Sequence, residues 1–77
     1  MMYSVHWVVP IKNIDEKHGE FNTLEEAQAS VHAFWQSKNF KPLYIRETLL
    51  DTNGASIKWD YGSHVAFYEF IFHSTTN

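Results

Sequence analysis

Residues 57–72 read IKWDYGSHVAFYEFIF, and this stretch decides the fold. It holds two runs rich in aromatic and β-branched residues on either side of Gly62-Ser63. Glycine at the first central position suits a two-residue type II′ turn, so the stretch predicts a β-hairpin. The predicted register places Tyr61 opposite His64, Trp59 opposite Ala66 and Ile57 opposite Tyr68.

A further strand is predicted upstream, at residues 43–50. It is followed by Asp51-Thr52-Asn53-Gly54, and aspartate first with glycine fourth is typical of a type I turn that ends in a glycine bulge. We therefore also expect a positive φ at Gly54. The resulting three-residue loop places Leu49 opposite Ile57, Ile45 opposite Tyr61 and Arg46 opposite Asp60.

The alternative is a two-residue turn at Asn53-Gly54. It would shift the register by one residue and turn Tyr44, Arg46 and Thr48 inward. We favour the longer loop because it matches apolar residues and forms an opposite-charge cross-strand pair. That register puts Glu47 on the same face as Trp59, so Glu47 lies at the sheet margin, or is half-buried, or the register is wrong.

A helix is predicted over residues 23–38. Thr23 and Glu26 have the spacing of a capping box, in which each side chain accepts from a backbone amide of the other residue. Apolar residues recur at three- and four-residue steps and form one stripe: Leu24, Ala27, Val31, Phe34 and Trp35. Asn39 suits a left-handed C-terminal cap, and Pro42 prevents continuation of the helix.

The first strand is predicted at residues 3–9, where apolar residues alternate with Ser4 and His6. Pro10 ends it, and the polar residues 11–20 are predicted to form a loop. The fold class is therefore α+β, a single domain over residues 1–77. We expect the order β-α-β-β-β, with one helix packed on one face of a four-stranded, mostly antiparallel sheet. The predicted core consists of Val5, Trp7, Val9, Leu24, Ala27, Val31, Phe34, Trp35, Ile45, Leu49, Ile57, Trp59, Tyr68, Phe70 and Phe72.

One helix can cover only one face of this sheet, and the other face is the candidate binding surface. A sheet face left to water normally carries polar residues, whereas this one is apolar at several neighbouring positions. The predicted protein-interface residues are Tyr44, Arg46, Val65, Phe67 and Ile71. The alternatives are that the 11–20 loop covers these residues or that they are exposed singly.

Composition excludes several classes of function. The 77-residue chain has no cysteine, so disulfides and cysteine-based zinc sites are excluded. The five histidines lack the close pairs of zinc motifs, and the glycines form no phosphate-binding loop, so we expect neither a metal nor another cofactor. No apolar run is long enough to span a membrane, and we expect no signal peptide and a cytoplasmic location.

Two other classes of function were weighed against protein binding. The side chains of Asp60, Tyr61, Ser63 and His64 include the types that form catalytic triads, but a tight turn provides no cleft, so we expect no catalytic residue. The alternative to protein binding is a single-stranded nucleic-acid binder that stacks bases on Phe67 and Tyr44. A net charge of −3 makes nucleic acid an unlikely partner, since phosphate binding needs a basic surface.

The segment Trp59-Asp60-Tyr61-Gly62-Ser63-His64 resembles segments of small uncharacterised proteins carried by bacterial phages and plasmids. This resemblance spans about one tenth of the chain and implies no activity or cofactor. It implies a protein that acts by binding a host protein. We therefore predict a small non-catalytic protein-interaction module, whose partner is another protein or a second copy. A homodimer would pack the uncovered faces together through Val65, Phe67 and Ile71.

Overall fold

The computed structural model describes residues 2–50 and 56–73. The elements are β1 (Met2–Val9), a 3-10 turn (Pro10–Lys12), β2 (Ile14–Phe21), α1 (Leu24–Ser37), β3 (Arg46–Leu49), β4 (Ser56–Asp60) and β5 (Phe67–His73). The strands form one antiparallel sheet in the spatial order β2-β1-β5-β4-β3, and α1 covers one face. The predicted α+β class and the β3-β4-β5 meander are confirmed, but the count of four strands is wrong.

The fifth strand is β2, which occupies most of the predicted 11–20 loop. It pairs with β1 from Phe21 opposite Tyr3 to Ile14 opposite Val9, with a bulge at Val5/His6. Asn13 takes the left-handed conformation (φ 58°) that closes the turn between the two strands. β2 lies at the edge of the sheet, where polar side chains remain in water, and it therefore lacks the apolar alternation of a half-buried strand.

The register of β4 and β5 differs from the predicted one by two residues. Trp59 lies opposite Tyr68 and Ile57 opposite Phe70, and residues 61–66 form the connection instead of a two-residue turn. The Ser63 hydroxyl accepts the backbone N–H groups of Val65 (3.3 Å) and Ala66 (3.1 Å), which stabilises this wider turn. A shift of two keeps every side chain on its predicted face, because side chains alternate with period two.

The predicted pairing of β3 with β4 is confirmed, although β3 is shorter than residues 43–50. Leu49 lies opposite Ile57 and Arg46 opposite Asp60, which excludes the rival register. Glu47 is exposed at the sheet margin, where its Oε1 accepts from Trp59 Nε1 (3.0 Å) and from the Gln28 amide (3.1 Å). The turn predicted at residues 51–54, including Gly54, lies outside the described residues.

Both predicted caps of α1 are confirmed. Thr23 Oγ1 accepts from the Glu26 backbone N–H (3.1 Å), and Glu26 Oε1 accepts from the Thr23 backbone N–H (3.2 Å). At the other end Asn39 has a φ of 54°, and the Phe40 N–H donates to the Trp35 carbonyl (2.8 Å). The chain therefore leaves the helix at the position that the sequence indicates.

The core lies between α1 and the sheet. Its buried cluster consists of Val5, Ala27, Val31, Trp35, Ile57, Trp59, Tyr68 and Phe70. Three predicted core residues are wrong, since Phe34 and Ile45 are each 40% exposed and Leu49 is 61% exposed. The backbone of α1 packs nearest to β1 and β2, so Leu49 on β3 lies beyond the cover of the helix.

Candidate protein-binding site

The sheet face opposite α1 is more polar than predicted. Ser56 donates to Glu69 Oε2 (2.7 Å), and the Lys58 ammonium lies 4.6 Å from the centre of the Phe67 ring. Phe67 and Ile71 are only partly exposed. The cation over Phe67 therefore shields the side chain on which the predicted face-to-face contact depends.

The five predicted interface residues do not form one patch on this face. Arg46, Phe67 and Ile71 lie on strands, whereas Tyr44 and Val65 lie outside the strands and are exposed. The Arg46 guanidinium lies 5.7 Å from the Tyr44 ring, so these two side chains meet. They lie at the β3 edge of the sheet, with Arg46 in β3 and Tyr44 two residues before it.

A run of exposed apolar residues along the chain begins there, interrupted by Arg46, Glu47 and Thr48. We call residues 43–50 the β3 edge segment. Five of its eight residues are large, apolar and exposed: Leu43, Tyr44, Ile45, Leu49 and Leu50. Their exposed fractions range from 40% for Ile45 to 83% for Leu43. All four residues of β3 are exposed. Such a concentration of exposed apolar side chains is typical of an interface, whereas single exposed apolar residues are normal.

The backbone of β3 adds directional binding groups to this surface. In the described sheet β3 pairs with β4 alone and is the last strand. Its outer side therefore presents N–H and C=O groups that can pair with another strand. Backbone hydrogen bonds give affinity in such strand addition, and the neighbouring side chains give specificity.

A chain of polar side chains on the uncovered face was missed by sequence reasoning. Ser4 Oγ lies 2.8 Å from His73 Nε2 and 3.1 Å from His6 Nε2, and His6 Nδ1 lies 2.8 Å from Asp15 Oδ1. These are the residue types of a nucleophile, a base and an orienting acid. Ser4 is only 2% exposed, so a substrate carbonyl has no path to its hydroxyl. The chain joins β5, β1 and β2, and we assign it to stability.

The residues weighed for catalysis near Gly62 are only loosely gathered. Asp60, Ser63 and His64 border a shallow cavity of about 220 Å³. The Ser63 hydroxyl is engaged by two backbone amides, and Tyr61 points away to accept from Trp7 Nε1 (3.1 Å). Among the described hydrogen bonds none joins His64 to Ser63 or to Asp60, so these side chains form no nucleophile–base pair.

The comparisons with known proteins found no matching family model, no matching curated protein and no matching solved structure. The resemblance of residues 59–64 to phage and plasmid proteins stays a prediction. In the part of the chain that the structure describes, no helix is long and apolar enough to cross a membrane.

Proposed function

We propose that this chain is a non-catalytic protein-interaction module that pairs, through the β3 edge segment, with a second copy of itself. The observation that carries this proposal is the coincidence of an unpaired strand edge with five exposed large apolar side chains. Apolar burial and new backbone hydrogen bonds then act together. Each contact occurs twice in a two-fold pair, so the same segment provides both sides of the interface.

The charges of β3 exclude some registers for such a pair. In a two-fold antiparallel pair, the residue on the axis faces itself. An axis at Arg46 or at Glu47 would place like charges directly opposite each other, which is destabilising. An axis at Thr48 avoids this, because it pairs Thr48 with Thr48, Leu49 with Glu47 and Leu50 with Arg46. An axis at Leu49 also avoids like charges within β3, but an axis at Thr48 pairs residues 46–50 along their whole length, and we therefore place the dimer axis at Thr48.

A single cysteine tests both the dimer and its axis. Directly opposite residues in an antiparallel pair have Cα atoms about 4.5–5.5 Å apart, within the range that a disulfide spans. Because the chain has no cysteine, Thr48→Cys introduces the only thiol. We expect mild oxidation to crosslink this variant into a dimer, seen on a non-reducing gel. The matched control is Lys12→Cys, an exposed position remote from β3, which should stay a monomer on the gel.

Light scattering separates edge pairing from the face-to-face alternative. The wild type should be a dimer, and Thr48→Lys should be a monomer with an unchanged circular dichroism spectrum, because two ammonium groups would then face each other. Phe67→Asp should leave the edge dimer intact. Loss of the dimer in Phe67→Asp but not in Thr48→Lys would show face-to-face packing instead, and a wild-type monomer at high concentration would refute self-association.

Single-stranded nucleic-acid binding has less support from the geometry. Of the two rings available for stacking, Phe67 lies under the Lys58 ammonium and Tyr44 lies beside Arg46. Glu69 lies on the same face as Phe67, two residues further along β5, and would repel phosphates. A salt titration with a short oligonucleotide checks this, since steep loss of affinity with salt is the signature of phosphate contacts.

A further inference from the structure

The covered side of the sheet holds a cleft that the proposed dimer does not use. It lies where the C-terminal half of α1 passes over β1, β2 and β5, and its volume is about 490 Å³. Six aromatic side chains form its walls: Trp7, Phe34, Trp35, Phe40, Tyr61 and Tyr68. Small-molecule sites typically have volumes of about 300–1,000 Å³, apolar or aromatic walls and a few polar groups. The cleft meets each of these criteria.

The aromatic side chains leave the mouth of this cleft open. Trp35 and Tyr68 are buried at its base, whereas Phe34 and Phe40 are half-exposed at its rim. The Phe40 ring lies 5.9 Å from that of Tyr61 at an angle of 80°, and 6.0 Å from that of Trp35 at 55°. Rings in edge-to-face and tilted contacts present both faces and edges to a guest, and a planar ring system satisfies both.

Most of the polar groups on the walls are hydrogen-bond donors. Tyr61 Oη accepts from Trp7 Nε1, so the Tyr61 hydroxyl hydrogen is free to donate to a guest. Burial is the largest influence on Tyr68 and raises its pKa, while a hydrogen bond with the Trp35 side chain lowers it and the neighbouring Tyr61 raises it. The Tyr68 phenol is therefore neutral and keeps its O–H at physiological pH. Two phenols in one wall favour a guest that carries acceptor oxygens.

The rim adds one available positive charge. The Lys38 ammonium lies 5.8 Å from the centre of the Phe34 ring, and no described carboxylate lies within ion-pair distance of it. Lys17 also lines the cleft, but it is paired with Glu20. Glu16 is the acidic group of the lining and opposes an anion. Lys38 therefore provides the site for a negative group, and Glu16 limits the affinity.

We propose that this cleft binds a small planar molecule of one or two fused rings that carries a carboxylate. The rings lie among Trp7, Trp35 and Phe40. The carboxylate accepts from Lys38 and from the Tyr61 hydroxyl. The site is on the opposite side of the sheet from Thr48, so ligand binding does not require the dimer.

The probe for this proposal is 2-naphthoate, compared by calorimetry with 2-naphthylmethylammonium and 2-naphthalenemethanol, which share its rings. We expect 2-naphthoate to bind about tenfold more tightly than either, since a charge-assisted hydrogen bond contributes a factor of that order. The indole N–H resonances of Trp7 and Trp35 should shift most, and that of Trp59, which donates to Glu47, should shift less.

Two substitutions with opposite expected effects on the affinity for 2-naphthoate complete the test. Lys38→Met should weaken the binding of 2-naphthoate about tenfold and leave the binding of the alcohol unchanged. Glu16→Gln should strengthen the binding of 2-naphthoate. Lys12→Met is the matched control and should change nothing. Tighter binding of the ammonium probe would identify the cleft as an aromatic cage for cations and overturn the proposal. Equal binding of all three probes, or no binding of any, would also overturn it.

Discussion

At the scale of single residues, the start of α1 depends on Thr23, whose hydroxyl and amide both take part in the capping box. Its neighbour Asn22 is exposed and precedes the cap. Thr23→Ala removes an acceptor that no other group of the first turn replaces. We expect it to lower the free energy of unfolding by about 1 kcal/mol, measured by urea denaturation.

The control for this prediction is Asn22→Ala, which should leave the free energy of unfolding nearly unchanged. Equal effects of the two substitutions would show that Thr23 contributes no specific cap.

Gly62 is the second residue on which local structure depends. Its φ is 96°, a backbone conformation that residues with a side chain rarely adopt, and a Cβ there would lie 2.9 Å from Leu43 Cβ. Gly62→Ala should therefore destabilise the protein by more than about 1 kcal/mol. Two causes contribute, the backbone strain at this φ and the contact with Leu43. Thermal denaturation of the same substitution in a Leu43→Gly background separates them. The contact contribution should vanish there and the backbone contribution should remain. A cost below measurement in both backgrounds would contradict the assigned strain.

At the scale of elements, the Ser4 hydroxyl links three strands. It contacts His73 on β5 and His6 on β1, and His6 continues to Asp15 on β2. Ser4→Ala removes the buried hydroxyl that joins His73 to His6, while His6 keeps its contact with Asp15 and His73 is exposed to water. We expect a loss of about 1 kcal/mol in the free energy of unfolding, because a hydrogen bond within a protein contributes about that much.

Ser37→Ala is the control, since its exposed hydroxyl donates only to a helix carbonyl one turn earlier. A smaller effect at Ser4 than at Ser37 would show that the buried chain does not stabilise the sheet.

Local signals predicted the elements whose ends they determine. The cap of α1 and the β3–β4 register each depend on residues close in sequence, namely Thr23 with Glu26 and Arg46 with Asp60. β2 was missed because pairing with β1, rather than its own apolar pattern, makes it a strand. The β4–β5 register was missed because Gly62-Ser63 is typical of a tight turn, whereas the Ser63 hydroxyl stabilises a wider one.

At the scale of the whole molecule, the candidate sites depend on contacts that no local pattern shows. Trp7 and Tyr61 meet in the cleft although 54 residues separate them, and Ser4 and His73 are 69 residues apart. The sequence predicted that one face of the sheet is uncovered, and it predicted Tyr44 and Arg46 as surface residues. It did not indicate that α1 packs nearest to β1 and β2 and leaves Leu49 exposed, which is why Leu49 was assigned to the core.

The position of β5 between β1 and β4 has a consequence for synthesis. A ribosome makes β5 after both of its neighbours, at about 5–20 residues per second. Until then the nascent chain holds two strands whose inner edges have no partner, together with the apolar side chains that Phe70 later covers. Sheet closure is therefore a late event that joins β1 to β5, and such long-range pairing is intrinsically slow. During this interval the chain is open to capture by chaperones or by another nascent copy.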